Sequence, residues 1–335
     1  MRTWLNISYG IFFKNLSIVH GFIEHCSICS MTITPLPAML RAIEQLSITY
    51  YAFTMKPIRI LAMDLDDTLL CSDLSISRRT RNAIHRAGEA GATVVLSSGR
   101  VSGAMDQFSR MLELHERPGY LVSNNGALIQ ESHTGAIVHE SRMDAPTALA
   151  VCDLAHAEGF PVQMYEDDLM YISRRNEYSD YDQRLTGIRQ VVVENFRAMV
   201  KEGCYKLIIP GDPMILSHLE KIVRTFMGDT ITLFTSRPYF LEVLPRNTNK
   251  GTALAKIAEI LGASAEETMA IGDSMNDEAM IRWAGIGVAM ANGDERLKII
   301  ADVVTSSSND NDGVAEVIEK YFSDKGQPHK GPPHG

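Results

Sequence analysis

Ile58-Arg-Ile-Leu-Ala-Met-Asp64-Leu65-Asp66-Asp67-Thr68-Leu-Leu70 is the stretch that decides the fold. The apolar run from Ile58 to Met63 predicts a strand buried on both faces, as at the centre of a parallel sheet. It stops in three carboxylates, Asp64, Asp66 and Asp67. Carboxylates at the C-terminal end of such a strand stand where open α/β sheets hold ligands. Taken alone, the triplet reads more readily as a solvated acidic turn. The distinction comes from residues much further along.

Working outward, 335 residues leave room for one large domain or two medium ones around a buried core. Apolar residues make up 45% and charged residues 22%, as in ordinary globular proteins. A net charge of −9 argues against a nucleic-acid binder, whose footprint is a basic stripe. Five cysteines form no disulfide framework, which makes a reducing cytoplasm the expected setting. Cys26-Ser-Ile-Cys29 has metal or redox spacing but lacks a second Cys/His pair.

Residues 1–54 carry only Arg2, Lys14, Glu24, Arg41 and Glu44 as charged groups. Lys14, His20 and Glu24 interrupt the apolar runs short of the roughly 20 residues a bilayer span needs. No clear secretory signal is present. The expectation is an N-terminal extension, disordered or not native, with Met55 as the natural first residue. A membrane-surface or partner-binding arm is the rival reading. The tail 324–335, rich in Gly, Pro and His, is expected to be disordered.

From residue 55 the pattern is strand, helix, strand, helix, strand. Ser77 caps a helix to about 90, and Gly91 stops it. The strand 93–96 ends in Ser97-Ser98-Gly99-Arg100, a turn whose hydroxyl and N–H groups suit an anion. A helix over 101–114 leads to a strand over 120–123, ending in Asn124-Asn125-Gly126. Such alternation predicts a doubly wound sheet.

Between about 127 and 245 the character changes. Strands are expected at 127–131, 136–140, 161–165, 169–173, 204–209, 230–235 and 239–244, with helices at 145–158, 176–188 and 212–227. Adjacent strands with tight turns imply antiparallel pairing, hence an α+β insert sitting as a cap. The expected division is a core of 55–130 and 246–323 and a cap of 131–245. The core pattern then resumes, with a helix from Lys250 to about 261 and a strand over 268–271 ending in Gly272-Asp273-Ser-Met-Asn276-Asp277. A helix to 283, a strand over 286–289, a helix over 294–301, a short strand over 302–304 and a helix over 313–322 complete it.

Three strand ends thus carry chemistry, and a lysine opens the helix before the last of them. Carboxylates from two strand ends are oxygen ligands for a hard cation such as Mg²⁺. Lysine and a Ser/Gly turn suit phosphate. Together they ask for metal-assisted phosphoryl transfer.

Here the sequence resembles the haloacid dehalogenase (HAD) superfamily, and within it the Cof-type subfamily with a large class IIB cap. The resemblance spans about residues 56–322. Asp64-Leu-Asp66-Asp67-Thr68 is similar to the family's first motif, Ser98 to its second, Lys250 to its third, and Gly272-Asp273-x-x-Asn276-Asp277 to its fourth. Ala284-Gly-Ile-Gly-Val-Ala-Met290 and Asp312-Gly-Val314 also resemble Cof-type sequence. The resemblance implies a HAD-like Rossmannoid α/β core with an inserted cap, and a Mg²⁺-dependent phosphatase acting through an aspartyl-phosphate. It implies Asp64 as nucleophile and Asp66 as general acid and base. Asp64, the Asp66 carbonyl and Asp273 would hold Mg²⁺. Leu65, Ser98, Gly99, Lys250 and Asn276 would bind substrate or its phosphate, with Asp277 in support. Asp67 departs from the family, which more often has glycine there.

Arg100 is expected in a structural salt bridge rather than on substrate. Tyr165, Glu166, Asp167 and Asp168 lie on a hairpin that can face the site. The expected substrate is a small phosphorylated metabolite, a sugar phosphate or flavin-pathway phosphate. Competing readings are a phosphomutase and a non-catalytic metabolite-binding module. Against the latter, the first strand lacks a G-x-G-x-x-G turn and its carboxylates would repel a pyrophosphate.

Overall fold

The computed structural model describes residues 56–166 and 169–322. The expectations for 1–54, Cys26 and Cys29, Asp167, Asp168 and the tail 324–335 lie outside these residues. Fourteen strands are present among the described residues. In chain order they are β1 (Ile60–Asp64), β2 (Thr93–Ser97), β3 (Gly119–Ser123), β4 (Leu128–Glu131), β5 (Ile137–Glu140), β6 (Gln163–Glu166) and β7 (Leu169–Ile172). β8 (Arg189–Val192), β9 (Leu207–Pro210), β10 (Ile231–Arg237), β11 (Phe240–Pro245), β12 (Thr268–Gly272), β13 (Ile286–Ala289) and β14 (Val303–Val304) follow.

Eight strands form one sheet in the order β14-β13-β12-β1-β2-β3-β4-β5, parallel from β14 to β3. β1 is central, and Ile60 to Met63 have no exposed surface. Their alternation explains why the sheet needs helices on both faces. Leu61 and Met63 pack with Ile84, Phe108 and Val317, from the helices Arg78–Glu89, Ser102–Met111 and Gly313–Tyr321. Ile60 and Ala62 pack oppositely with Leu254, Ile281 and Leu297, from Lys250–Leu261, Glu278–Trp283 and Glu295–Ile300. Each fully buried aliphatic side chain contributes about 1.5–3 kcal/mol over its exposed state, so a strand with two apolar faces holds the sheet from both sides.

The remaining six strands form a second sheet, β10-β11-β9-β6-β7-β8. The helices Ala145–Ala157 and Pro213–Met227 cover one face through Val151, Leu219 and Val223. The other face meets Val101 of the first sheet's side through Tyr165, Met170, Ile208 and Phe240.

Two expectations need correction. The sequence pattern assigns the strands 127–131 and 136–140 to the insert, yet β4 and β5 extend the first sheet antiparallel from β3. The boundary expected at 130 falls inside that hairpin. β3 would otherwise leave an unpaired edge, and β4 buries Leu128 and Ile129 in closing it. β8 was not foreseen. It pairs in parallel with β7 through Arg-Gln-Val-Val, which shows neither clean alternation nor a buried run. The two segments joining the sheets lie side by side, Thr248 Oγ1 donating to Ser141 Oγ at 3.1 Å.

Candidate active site

Three neighbouring strand ends build the site. Asp64 closes β1 and pairs in register with Ser97 of β2, so Ser98 stands one residue beyond the nucleophile candidate. On the other side β12 runs parallel to β1 and delivers Asp273 immediately after Gly272. Lys250 opens its helix behind Asn249, whose side chain accepts from the Thr252 N–H in a reciprocal cap. Gly126 makes that approach possible. At φ 105°, a Cβ there would lie 2.4 Å from the Asn249 carbonyl oxygen.

Lys250, taken alone, reads as a solvated helix-start lysine. It is instead 1% exposed. Its Nζ donates to Asp64 Oδ1 and, at 2.6 Å, to Asp277 Oδ1. Burial presses its ammonium pKa down, but Asp277 and Asp64 more than reverse that, and the value stands above an ordinary lysine's. Asp277 Oδ2 accepts from the backbone N–H of Asp273 at 3.0 Å and of Ser274 at 3.1 Å. Asp277 therefore caps the turn and orients the lysine, with both oxygens occupied.

Oxygens of Asp64, Asp273 and Asp277 lie within 4.8 Å of one another. Burial raises the Asp64 carboxyl well above its ordinary value; Lys250 opposes this, and Asp277, Asp273 and Asp66 add to it. Asp273 is raised to about 7, first by burial and then by Asp277, against the hydrogen bond from Thr68 Oγ1 at 2.9 Å. One buried ammonium faces three crowded carboxylates. That residual negative charge, on hard oxygen donors, fits a divalent cation such as Mg²⁺. Since Asp277 is committed to N–H and ammonium donors, Asp64 and Asp273 are the side chains with oxygens to spare.

The other expected site residues fall as follows. Ser98 is buried at the sheet edge, its Oγ accepting from the Arg100 N–H at 3.1 Å. Gly99 lies against Asn125, whose amide nitrogen would be 3.2 Å from an added Cβ. Leu65 is wholly buried with its side chain in the core, and its carbonyl accepts from the Leu70 N–H at 2.8 Å. Asn276 Nδ2 donates to Asn125 Oδ1 at 3.0 Å. Asp67 takes φ 56° and ψ 7°, a left-handed conformation that aspartate tolerates better than most residues.

Asp66 has its carboxylate held by Arg100, Nε to Oδ2 at 2.9 Å and Nη2 to Oδ1 at 2.6 Å. The expected arginine salt bridge exists, and its partner is the candidate proton donor. A second network went unforeseen. Lys206, 5% exposed, donates to the Gly99 carbonyl at 2.9 Å and pairs with Glu242 Oε2 at 3.1 Å. Glu242 in turn accepts from Asn125 Nδ2 at 3.0 Å. The Asn-Asn-Gly turn after β3 was the visible signal of it. Tyr165 on the suspected hairpin is buried and donates to Asp182, while Glu166 pairs with Arg142 at 3.5 Å.

A family model described as haloacid dehalogenase-like hydrolase matches residues 61–318. A haloacid dehalogenase-like hydrolase crystal structure from Bacteroides thetaiotaomicron is 31% identical. It has a TM-score of 0.73 and covers 80% of this chain and 100% of its own. TM0651 from Thermotoga maritima is 30% identical with a TM-score of 0.69, over 78% and 97%. A Bacillus subtilis relative, 5-amino-6-(5-phospho-D-ribitylamino)uracil phosphatase YcsE, is 30% identical over 79% of this chain and 96% of its own. Among the described residues, no helix is long and apolar enough to cross a membrane.

Proposed function

The chain belongs to the haloacid dehalogenase-like hydrolase family, as an enzyme of its phosphatase branch, and we propose that it hydrolyses a small phosphorylated metabolite through an aspartyl-phosphate on Asp64. The observation that carries this reading is the fully buried Lys250 bridging Asp64 and Asp277. A lysine so placed neutralises the carboxylate that must approach an anionic phosphoryl group.

In this reading Asp64 attacks phosphorus, the bond to the leaving alcohol breaks, and the departing oxygen takes a proton from Asp66. Water then displaces Asp64 from phosphorus and gives its proton to Asp66, restoring both residues. Mg²⁺ held by Asp64, Asp273 and the Asp66 main-chain carbonyl would supply charge neutralisation for the phosphoryl oxygens. Ser98 and the backbone of Leu65 and Gly99 offer donors to the same oxygens. Lys250 compensates their charge, and Asn276 helps hold the surrounding wall. The inserted sheet acts as a cap that limits substrate size and excludes water. The catalytic part takes in residues 56–140 and 246–322 of the described chain, and the enzyme works in the cytoplasm. A sugar phosphate or flavin-pathway phosphate is the substrate class, the latter supported by the name of the Bacillus relative.

The test is phosphate release from sugar phosphates, nucleotides and flavin phosphates, with Mg²⁺ and with EDTA, beside Asp64→Asn. Turnover that needs Mg²⁺ and vanishes in Asp64→Asn supports the reading. Undiminished release by folded Asp64→Asn would overturn it. A requirement for a sugar bisphosphate would move it to a mutase.

A further inference from the structure

Arg100 stands between the two halves of the proposed chemistry. Its side chain grips both oxygens of Asp66, and its main-chain N–H donates to Ser98 Oγ. Its carbonyl accepts from the Asn124 N–H at 2.8 Å, which fixes the turn from the β3 side. The guanidinium lies over the Phe108 ring, 5.4 Å from the centroid, and Phe108 is itself 1% exposed. Asp66 has no comparable anchor of its own. It sits between buried Leu65 and left-handed Asp67, with its side chain 40% exposed against 13% for Arg100. A half-exposed aspartate on a turn rotates among several side-chain conformers in water. The two-point fork of a guanidinium selects one of them.

We propose that Arg100 is a positioning residue for proton transfer: it aims the Asp66 carboxyl group at the leaving oxygen from a mount shared with the phosphate-binding turn. The inference rests on Asp66 acting as acid and base. The geometry links that role to Ser98 by a single residue, so phosphate placement and proton placement are set together. A displacement of about 1 Å at a reacting group costs on the order of 100-fold in rate, so the mount matters although it touches no substrate.

The consequence is selective. A leaving alkoxide needs the proton, whereas a nitrophenolate departs without it. Loss of aim therefore slows aspartyl-phosphate formation from alkyl phosphates and spares it with 4-nitrophenyl phosphate. Hydrolysis of the intermediate, which uses Asp66 as base, is common to both, so the comparison is made in kcat/KM, which reports the first step. The experiment measures kcat and KM of Arg100→Met, Arg100→Lys and Asp66→Asn on 4-nitrophenyl phosphate and on the best alkyl phosphate of the substrate panel. Asp66→Asn is expected to lose about 100-fold or more on the alkyl phosphate and much less on the aryl one. Arg100→Met is expected to lose roughly 10- to 100-fold in kcat/KM on the alkyl phosphate and far less on the aryl one. Arg100→Lys, which keeps the charge but only one bond at a time, should fall between Met and the parent.

Equal losses of kcat/KM in Arg100→Met on both substrates would make Arg100 merely structural and overturn the proposal. A KM rise on both would make it a substrate contact and overturn it likewise. Should Arg100→Met fold poorly, the Arg100→Lys substrate ratio decides alone. If Asp66→Asn shows no leaving-group preference, the proton-transfer reading falls and takes this proposal with it. If Asp66→Asn shows the preference and the Arg100 variants do not, only the present inference falls.

Discussion

Replacing Lys250 with Met removes the charge while nearly conserving side-chain volume, so little of the effect comes from a cavity. Asp64 and Asp277 are left facing each other in a buried site without their shared ammonium. Breaking a buried pair from one side costs about 3–5 kcal/mol. That is a large share of the roughly 5–15 kcal/mol that holds a domain folded. The cost depends on pH with a definite sign. Asp64 has a folded pKa above its unfolded one, so its favourable contribution is complete below about 3.9 and is lost as pH rises through the folded value. Without Lys250 to oppose burial, that window widens upward. The deficit of the variant is therefore greatest near pH 8 and shrinks toward pH 5, by at most about 1.4 kcal/mol per pH unit for each proton taken up. Urea unfolding followed by circular dichroism, in EDTA at both pH values, measures it. Phosphate release should fall by about 100-fold or more at either pH. A deficit under about 1 kcal/mol at pH 8, or one larger at pH 5, would refute the claim that this lysine compensates buried carboxylates.

Asp67→Gly should keep turnover at saturating Mg²⁺. It removes a carboxylate that helps raise Asp273, so calorimetric Mg²⁺ affinity should weaken by roughly threefold, about 0.6–0.7 kcal/mol. Unchanged affinity would show that the Asp67 charge does not reach the metal site. Glu242→Gln strands Lys206 and should cost about 3 kcal/mol in urea, whereas the double variant with Lys206→Met should recover most of it. Additive losses in that cycle would contradict the coupling. Asp182 is buried beneath Tyr165 and Gln163, and burial raises its pKa. Its contribution to stability is thus present below about 3.9 and lost as pH rises through the folded value. Asp182→Asn should remove that slope, making the variant relatively worst in acid. A parallel pH dependence of variant and parent would count against it.

The fold was legible where one strand must satisfy two faces. Ile60 to Met63 and Met269 to Ile271 are apolar throughout, Gly91 and Gly262 stop helices with positive φ, and Asn249 starts one with its side chain. Sheet membership was less so. Leu128 and Ile129 announce a strand, but only the unpaired flank of β3 says which sheet receives it. β8 hid because an edge strand with exposed Arg189 and Val192 need not alternate. In the site, spacing brought out Asp64, Ser98, Lys250 and Asp273, since each ends a strand, follows one directly or opens a helix. The grip of Arg100 on Asp66 depends on two turns meeting side by side, which no spacing announces. Lys206 and Glu242 meet only because β9 and β11 pair antiparallel in one particular register, with Ile208 opposite Glu242.

That last pair has a bearing on how the enzyme can open. Lys206 and Glu242 both ride on the inserted sheet, although each reaches across it, to the Gly99 carbonyl and to Asn125. When the sheets part, neither charge leaves its counter-ion behind. This pair gives up its hydrogen bonds to the Gly99 carbonyl and Asn125, but no bare charge is abandoned in a dry interior. An ion pair divided between the two bodies would lock them together. Carried whole on one of them, it is a self-neutralised tooth whose withdrawal would strand no charge.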